Sequence, residues 1–331
     1  MMCYELDRTV KPIVQLNSHQ LVLRGDFTTH HITRTFKTII ANPPYVKQKG
    51  TANLYITFIE LCYKLLDPSD GELIFIVPSD FCKLTSASAL ITTMAANGSF
   101  TDFLFPHDEN LFEGASIDIV VFRYQRGTVS TRTIMNGKSM FCNVNHGIIT
   151  FSQTPITGIP VSDLFHVYVG LVTGKEEVYK APFGNMELLN DKDKVETYIF
   201  LTSFPTQNET INTHLLQHKA TLLSRKIKKF NETNWFEWGA PRNLTAITAN
   251  TGKPCIYVRN VTRSKEVAFL GTVRNFGGGL LCLIPKNTLA DTELERVLAF
   301  LNGNEFQKDY IYSGRFKIGH KQVSSAILPT T

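Results

Sequence analysis

Along the first half of the chain, short apolar runs alternate with one helical repeat. Residues 38–41 (TIIA) and 73–77 (LIFIV) are continuous apolar runs bounded by turn residues, and 117–122 (IDIVVF) is a third, interrupted at Asp118. Between the first two, Tyr55, Phe58, Ile59, Leu61, Cys62, Leu65 and Leu66 recur at helical spacing. The sequence 67–71 (DPSDG) then supplies a turn-rich stop. Strand, helix, strand at this spacing predicts a doubly wound α/β sheet, on which ligands gather at the carboxyl ends of the strands. Clear periodicity is lost over 127–145, and 154–160 (TPITGIP) is rich in turn residues. A domain junction is therefore expected near residue 150, dividing the chain into 1–150 and 151–331.

Length supports that division, because 331 residues exceed what single cores usually reach. An apolar fraction of 43% and a charged fraction of 19% are ordinary globular usage and exclude a disordered, collagen-like or coiled-coil chain. The apolar runs are strand-length, far short of the roughly 20 residues a membrane helix needs, so no membrane partner is expected. Residues 1–8 include Glu5 and Asp7 and lack a basic stretch leading into an apolar one, unlike a secretory signal. Six cysteines, at 3, 62, 82, 142, 255 and 282, are scattered without a CxxC pair. They read as structural thiols of a reducing, cytoplasmic compartment. His30, His31, His214 and His218 have no carboxylate or cysteine at ligand spacing, so no metal is expected. Ser79-Asp80 forms no nucleophile elbow, and Asp108-Glu109 reads as a solvated loop.

Charge is uneven. Residues 1–150 contain 13 Lys/Arg and 13 Asp/Glu, whereas 151–331 contain 21 and 16, so the excess of +5 sits entirely in the second half. Within it, 221–265 holds Arg225, Lys226, Lys228, Lys229, Arg242, Lys253, Arg259, Arg263 and Lys265 against only Glu232 and Glu237. That local balance suggests a polyanion partner. Trp235, Phe236, Trp238 and Tyr257 interleave with the cations, the mixture nucleic-acid surfaces use. The dense run Arg225, Lys226, Lys228 and Lys229 suits phosphate contact, and the dispersed Arg242, Arg259 and Arg263 suit base edges.

The sharpest chemistry follows the strand 38–41, where Asn42-Pro43-Pro44-Tyr45 stands. Two prolines cannot continue a helix, and each restricts the residue before it, so Asn42 is pinned in an extended conformation. A rigid turn of this kind aims the Asn42 amide oxygen and the Pro43 carbonyl at one point. Two such acceptors bind an exocyclic amine and stabilise the positive charge that develops as its nitrogen attacks a methyl donor, without a strong base. Tyr45 adds a ring for stacking on a planar base. The plain alternative is a proline-rich turn with no chemistry.

These residues resemble the S-adenosylmethionine-dependent DNA methyltransferases that modify adenine at N6, in particular restriction-modification members with a catalytic domain followed by a target-recognition domain. Further short matches occur in the family's order. Cys3-Tyr4-Glu5-Leu6-Asp7 resembles the end of the family's second strand, which implies that Glu5 binds the cofactor ribose. Gly25-Asp26-Phe27 resembles the next cofactor motif, implying that Asp26 accepts from the cofactor's adenine amine and Phe27 packs on that ring. Asn53-Leu54-Tyr55 and Phe58 resemble the helix flanking the cofactor pocket, to which Asn42 also contributes. Leu111-Phe112 resembles the segment that places a second ring on the target base, here Phe112 opposite Tyr45. In the second half, 169–174 (VGLVTG) resembles the opening of the recognition region and 312–319 (YSGRFKIG) its closing hallmark.

The resemblance thus implies a Rossmann-like methyltransferase sheet over 1–150 and a mixed α+β DNA-recognition domain over 151–331. The implied reaction moves a methyl group from S-adenosyl-L-methionine to N6 of a flipped-out adenine in double-stranded DNA, in the cytoplasm at a bacterial nucleoid or in a virus-infected cell. One departure qualifies it. Family members of this order begin with a cofactor-binding proline/threonine motif and a strand ending in a glycine turn, whereas the matches here start at the second strand. The sheet is therefore expected to be incomplete at its N-terminal end, with a second chain or upstream segment completing the cofactor site. The alternative is a non-catalytic DNA-recognition subunit or fragment of such an enzyme. Methyltransferases acting on protein glutamine or ribosomal RNA share the motif, but usually lack so long a basic C-terminal half.

Overall fold

In the computed structural model, which describes residues 1–13, 15–46, 53–106, 118–312 and 314–329, the chain divides into two units, Met1–Pro155 and Ile156–Thr331. In the first, β1 (Met2–Glu5) and β2 (Leu21–Arg24) pair in parallel, with Glu5 opposite Arg24. Strand β3 (Thr38–Ala41) leads through helix α1 (Leu54–Lys64) to β4 (Glu72–Pro78), parallel to it. Helix α2 (Ser88–Ala96) precedes β5 (Gly98–Leu104), and β6 (Ile119–Arg126) runs antiparallel between β4 and β5. With β7 (Arg132–Met135), β8 (Lys138–Asn145) and β9 (Ile148–Ser152) they form a seven-stranded sheet in the order β3-β4-β6-β5-β7-β8-β9. The α/β, Rossmann-like expectation holds. Among the described residues, β1 pairs only with β2 and β3 only with β4 in named strands, so each keeps one free edge.

Burial explains why these elements form. Leu73, Phe75 and Val77 alternate along β4 and are fully buried, and α1 adds Tyr55, Ile56, Ile59, Cys62 and Tyr63 to the same core. At roughly 1.5–3 kcal/mol for each large apolar side chain buried, this face outweighs the modest helix propensity of the aromatic and β-branched residues in α1. Phe122 of β6 stacks against Phe75 and Phe81, with centroids 6.0 and 5.1 Å apart, which locks the antiparallel strand to its neighbours.

The segment 127–145, where periodicity fades, is not loop but holds β7 and the whole of β8. The connections are Asn136-Gly137 and His146-Gly147, all four residues with positive φ. This is the two-residue hairpin chemistry whose twist matches the flanking strands. The Asn-Gly pair was the available signal.

In the second unit, strands Phe165–Val169, Leu280–Pro285, Pro254–Arg259 and Ala268–Thr272 form an antiparallel sheet in that order. Leu294, Val297 and Leu301 of the helix Asp291–Asn302 bury against one cluster of core residues beneath it. A second core cluster holds Trp235, Phe236, Trp238 and Tyr257, all below 7% exposed. The expected stacking role of these rings is therefore corrected: they are core. Trp238 donates from Nε1 to the Ile199 carbonyl at 2.7 Å, which satisfies its one polar atom inside. Among the described residues no helix is long and apolar enough to cross a membrane, and no three His, Cys, Asp or Glu side chains gather as a metal set.

Candidate active site and DNA-binding surface

Asn42 follows the last residue of β3 and is exposed, while Pro43 beside it is buried. The turn thus anchors one proline in the unit and presents the amide to solvent at the carboxyl end of a parallel strand. The Tyr45 hydroxyl lies 2.9 Å from Asn42 Oδ1 and 3.1 Å from the Ile76 carbonyl of β4. Burial raises the Tyr45 phenol above its ordinary value, so it remains a protonated donor. Its ring meets Tyr55 of α1 edge-on at 6.3 Å. Tyr55 in turn donates to Asp80 Oδ1 at 3.1 Å, two residues beyond β4. Burial, then the Asp80 charge, pushes the Tyr55 phenol up as well. Sequence reasoning misses Asp80 because it makes no hydrolase motif. Its position just after a strand, like that of Asn42, is the signal that could have found it.

The candidate cofactor residues occupy the ends of the other two parallel strands. Glu5 is the last residue of β1, and its Oε1 accepts from the Asp7 backbone N–H at 2.9 Å. Asp26 follows β2 and caps a short turn: Oδ1 accepts from both the Thr28 N–H, at 2.8 Å, and the Thr28 hydroxyl, at 2.7 Å. The Thr28 bonds hold the carboxyl below its ordinary value and fix its direction. Phe27 packs on Phe58 of α1 with centroids 5.3 Å apart, and on Tyr4 of β1 at 5.2 Å. The structure thus ties Glu5, Asp26, Phe27, Asn42, Tyr45 and Phe58 to one α-helix through two ring contacts, Phe27–Phe58 and Tyr45–Tyr55. Phe112 lies outside the described residues.

The basic candidates of the second unit separate by burial. Arg225 is buried: Nε donates to the Leu222 carbonyl at 2.8 Å, Nη1 to Thr173 at 3.0 Å and Nη2 to Trp235 at 2.6 Å. Burial lowers its pKa, and the carbonyl acceptors hold it in place. Its expected phosphate contact is therefore corrected to a structural role. Arg259 is corrected likewise as a base reader, because its side chain is 12% exposed and bonded to Asp191 at 2.7 Å. Lys228 is engaged by Glu237 at 2.8 Å. Lys226, Lys229, Arg242 and Arg263 are exposed.

Residues 14–112 match the family described as Eco57I restriction-modification methylase, so the resemblance to restriction-modification methyltransferases holds over the stretch that contains Asp26, Phe27, 42–45 and Phe58. The Type II methyltransferase M.HincII of Haemophilus influenzae is 30% identical over 132 residues, 33% of this chain and 26% of that protein. M.HindII of Haemophilus influenzae strain Rd is likewise 30% identical over 132 residues, covering 33% and 25%. The chain spans about a quarter of the length of these curated relatives. The Type IIL restriction-modification enzyme MmeI, solved in complex with DNA, shares the fold with a TM-score of 0.54 at 10% identity, over 87% of this chain and 46% of that one.

Proposed function

We propose that this chain supplies the catalytic turn and the DNA-recognition unit of an adenine-N6 DNA methyltransferase that uses S-adenosylmethionine. The observation that carries the reading is that Asn42 and Tyr45 follow β3 and Tyr45 meets Tyr55 of α1, the helix whose Phe58 packs on Phe27. Four polar groups, Glu5, Asp26, Asn42 and Asp80, end or follow the strands of two parallel pairs, β1–β2 and β3–β4, and ligands of parallel sheets bind at such ends.

The residues suit the cofactor. Asp26 keeps Oδ2 for an amine donor while Thr28 holds Oδ1, Glu5 offers a carboxylate for paired hydroxyls, and the Phe27–Phe58 pair offers an apolar wall for a planar base. S-adenosylmethionine, when bound, supplies an electrophilic sulfonium methyl group. The target amine donates to Asn42 Oδ1 and to the Pro43 carbonyl, whose dipoles stabilise the positive charge that grows on the attacking nitrogen. Tyr45 holds Asn42 in place through its hydroxyl. In-line attack on the methyl group requires the adenine to leave the duplex, and Tyr45 with Phe112 would sandwich it. Lys226 and Lys229 are proposed to hold phosphates, Arg242 and Arg263 to meet base edges.

A second reading, a non-catalytic DNA-recognition subunit, is favoured by one observation: β1 and β3 do not pair among the described residues, so the cofactor-side strands form separate sheets. A parallel strand from an upstream segment or second chain would join them. The two readings separate in one experiment. The chain assembled with such a segment should transfer tritium from labelled cofactor to DNA, and Asn42→Ala should abolish transfer while DNA is still retained. Undiminished transfer by the variant removes the catalytic assignment; no transfer by the assembled wild type favours the recognition subunit.

A further inference from the structure

A cavity of about 430 Å³ in the second unit is bounded by Leu171, Val172 and Leu188 on its apolar side and by the glycines 277–279. Its polar side chains are Thr173, Glu176, Asn190 and Tyr198. Tyr198 is 1% exposed, and its hydroxyl donates to Glu176 Oε1 at 2.7 Å. It also accepts from Asn190 Nδ2 at 2.8 Å, and the same Nδ2 donates to Glu196 Oε2 at 2.7 Å. Both amide protons of Asn190 are thereby spent, so the orientation of its side chain is fixed and its Oδ1 is left as an acceptor. Burial, and then the bond to Glu176, raise the Tyr198 phenol, which stays a donor.

The glycines make room for this arrangement. A Cβ on Gly277 would stand 2.2 Å from Asn190 Oδ1, and one on Gly278 2.8 Å from Val172 Cγ2. A larger residue at 277 would force the Asn190 side chain to shift. A volume of this size lies within the range of small-molecule pockets, and its lining has the usual composition of apolar walls with few, directed polar groups. Of the polar side-chain groups still available, the second oxygen of Glu176 and Asn190 Oδ1 only accept, while the Thr173 hydroxyl, which takes the Lys175 N–H at 3.2 Å, can also donate. The two acceptor-only oxygens match an amine.

The cavity adjoins the basic run. The Thr173 carbonyl on its edge receives the Arg225 guanidinium, and Gly174 packs against Ile227, so Lys226 sits between two residues fastened to the cavity wall.

We propose that this cavity binds a nucleobase bearing an exocyclic amine, presented by a DNA strand that lies along the basic run. The proposal rests on the DNA-binding reading above. The same base chemistry is available from a free nucleoside, so the test has two arms. In the first, the full chain selects from a randomised duplex pool, and the retained sequences are read for wild type, Glu176→Gln and Gly277→Ala. In the second, saturation-transfer NMR is recorded with adenosine, cytidine, guanosine and thymidine.

Wild type should enrich a motif, and both variants should lose about tenfold or more of the discrimination at one base pair while the other positions stay enriched. Glu176→Gln is close to isosteric and keeps the test valid if Gly277→Ala unfolds, which a melting curve reports. NMR signals for the amine-bearing nucleosides and not thymidine, lost in Glu176→Gln while the duplex motif is unchanged, overturn the DNA source and assign the cavity to a free nucleoside. An unchanged motif together with unchanged or absent nucleoside signals overturns the site. Failure of the wild type to retain any duplex marks the failure of the DNA-binding reading itself. Retention without a motif overturns base recognition alone.

Discussion

The Tyr45 hydroxyl, 2.9 Å from Asn42 Oδ1, fixes the amide that ends β3 through a contact three residues along the chain. The hydroxyl also reaches the Ile76 carbonyl, so Asn42 is referenced to β4 as well as to its own strand. Tyr45→Phe keeps the ring and removes this restraint. Methyl transfer by the assembled enzyme should fall roughly tenfold, about the worth of one hydrogen bond, against complete loss in Asn42→Ala. Single-turnover rates at saturating cofactor measure it; equal rates for Tyr45→Phe and wild type would refute the positioning role.

Phe27 and Phe58 are expected to act as a pair. If their contact forms the wall for the cofactor's ring, Phe58→Ala should weaken S-adenosylmethionine binding by roughly 0.5–1.5 kcal/mol or more. The double variant Phe27→Ala/Phe58→Ala should lose less than the sum of the single losses, because each change already breaks the shared ring pair. Calorimetric titration of the assembled enzyme checks both. Additive losses would show that the rings act separately.

Arg225 and Lys226 are neighbours with opposite expected effects. Arg225→Ala leaves the buried Leu222 and Trp235 carbonyls without this donor, the Thr173 carbonyl keeping the Gly239 N–H, and should cost about 2 kcal/mol of stability, a melting decrease of several degrees. Lys226→Ala/Lys229→Ala should leave the melting temperature within a degree or two of wild type. It should instead weaken DNA binding and make its salt dependence shallower by about 0.9 for each phosphate the chain no longer neutralises. A double lysine variant with an unchanged salt slope would exclude phosphate binding there.

Glu72 joins three strands, accepting from Thr38 of β3 at 3.0 Å and from Arg123 of β6 at 2.8 Å. The Arg123 bond first, then Thr38, hold its carboxyl below the ordinary value of 4.5. A carboxyl depressed in the folded state contributes stability that is fully present above its unfolded pKa and is lost as pH falls through the folded one. The gap in stability between wild type and Glu72→Gln should therefore be present at neutral pH and shrink as pH falls below 4.5 toward the lowered folded-state value. Because the Arg123 side chain is 45% exposed, the gap should be no more than about 1 kcal/mol. Urea unfolding at several pH values tests the sign; a gap that widens on acidification would contradict it.

Local physics fixes much of the first unit in the sequence. The run 38–41 coincides with β3, the helical repeat over 55–66 with α1 to within two residues at its end, and the turn after β3 follows from two prolines. Asn136-Gly137 also determines a hairpin by its positive φ angles, although the weak alternation around it concealed the strands. Each of these depends on a residue and its near neighbours. The roles of Arg225 and Lys226, of Trp238, and of the Glu176–Tyr198–Asn190 set were decided only by tertiary structure. Arg225 and Lys226 carry the same charge, yet one turns into the core and the other into solvent because Thr173, 52 residues away, supplies a carbonyl to the first. Trp238 sits among cations in sequence and among Tyr179, Tyr198 and Phe200 in space. Asn190 meets Gly277 through packing between segments whose separation along the chain leaves no periodic trace. Which face of a segment is buried, and which distant donor meets which acceptor, are set by the close packing of the whole unit.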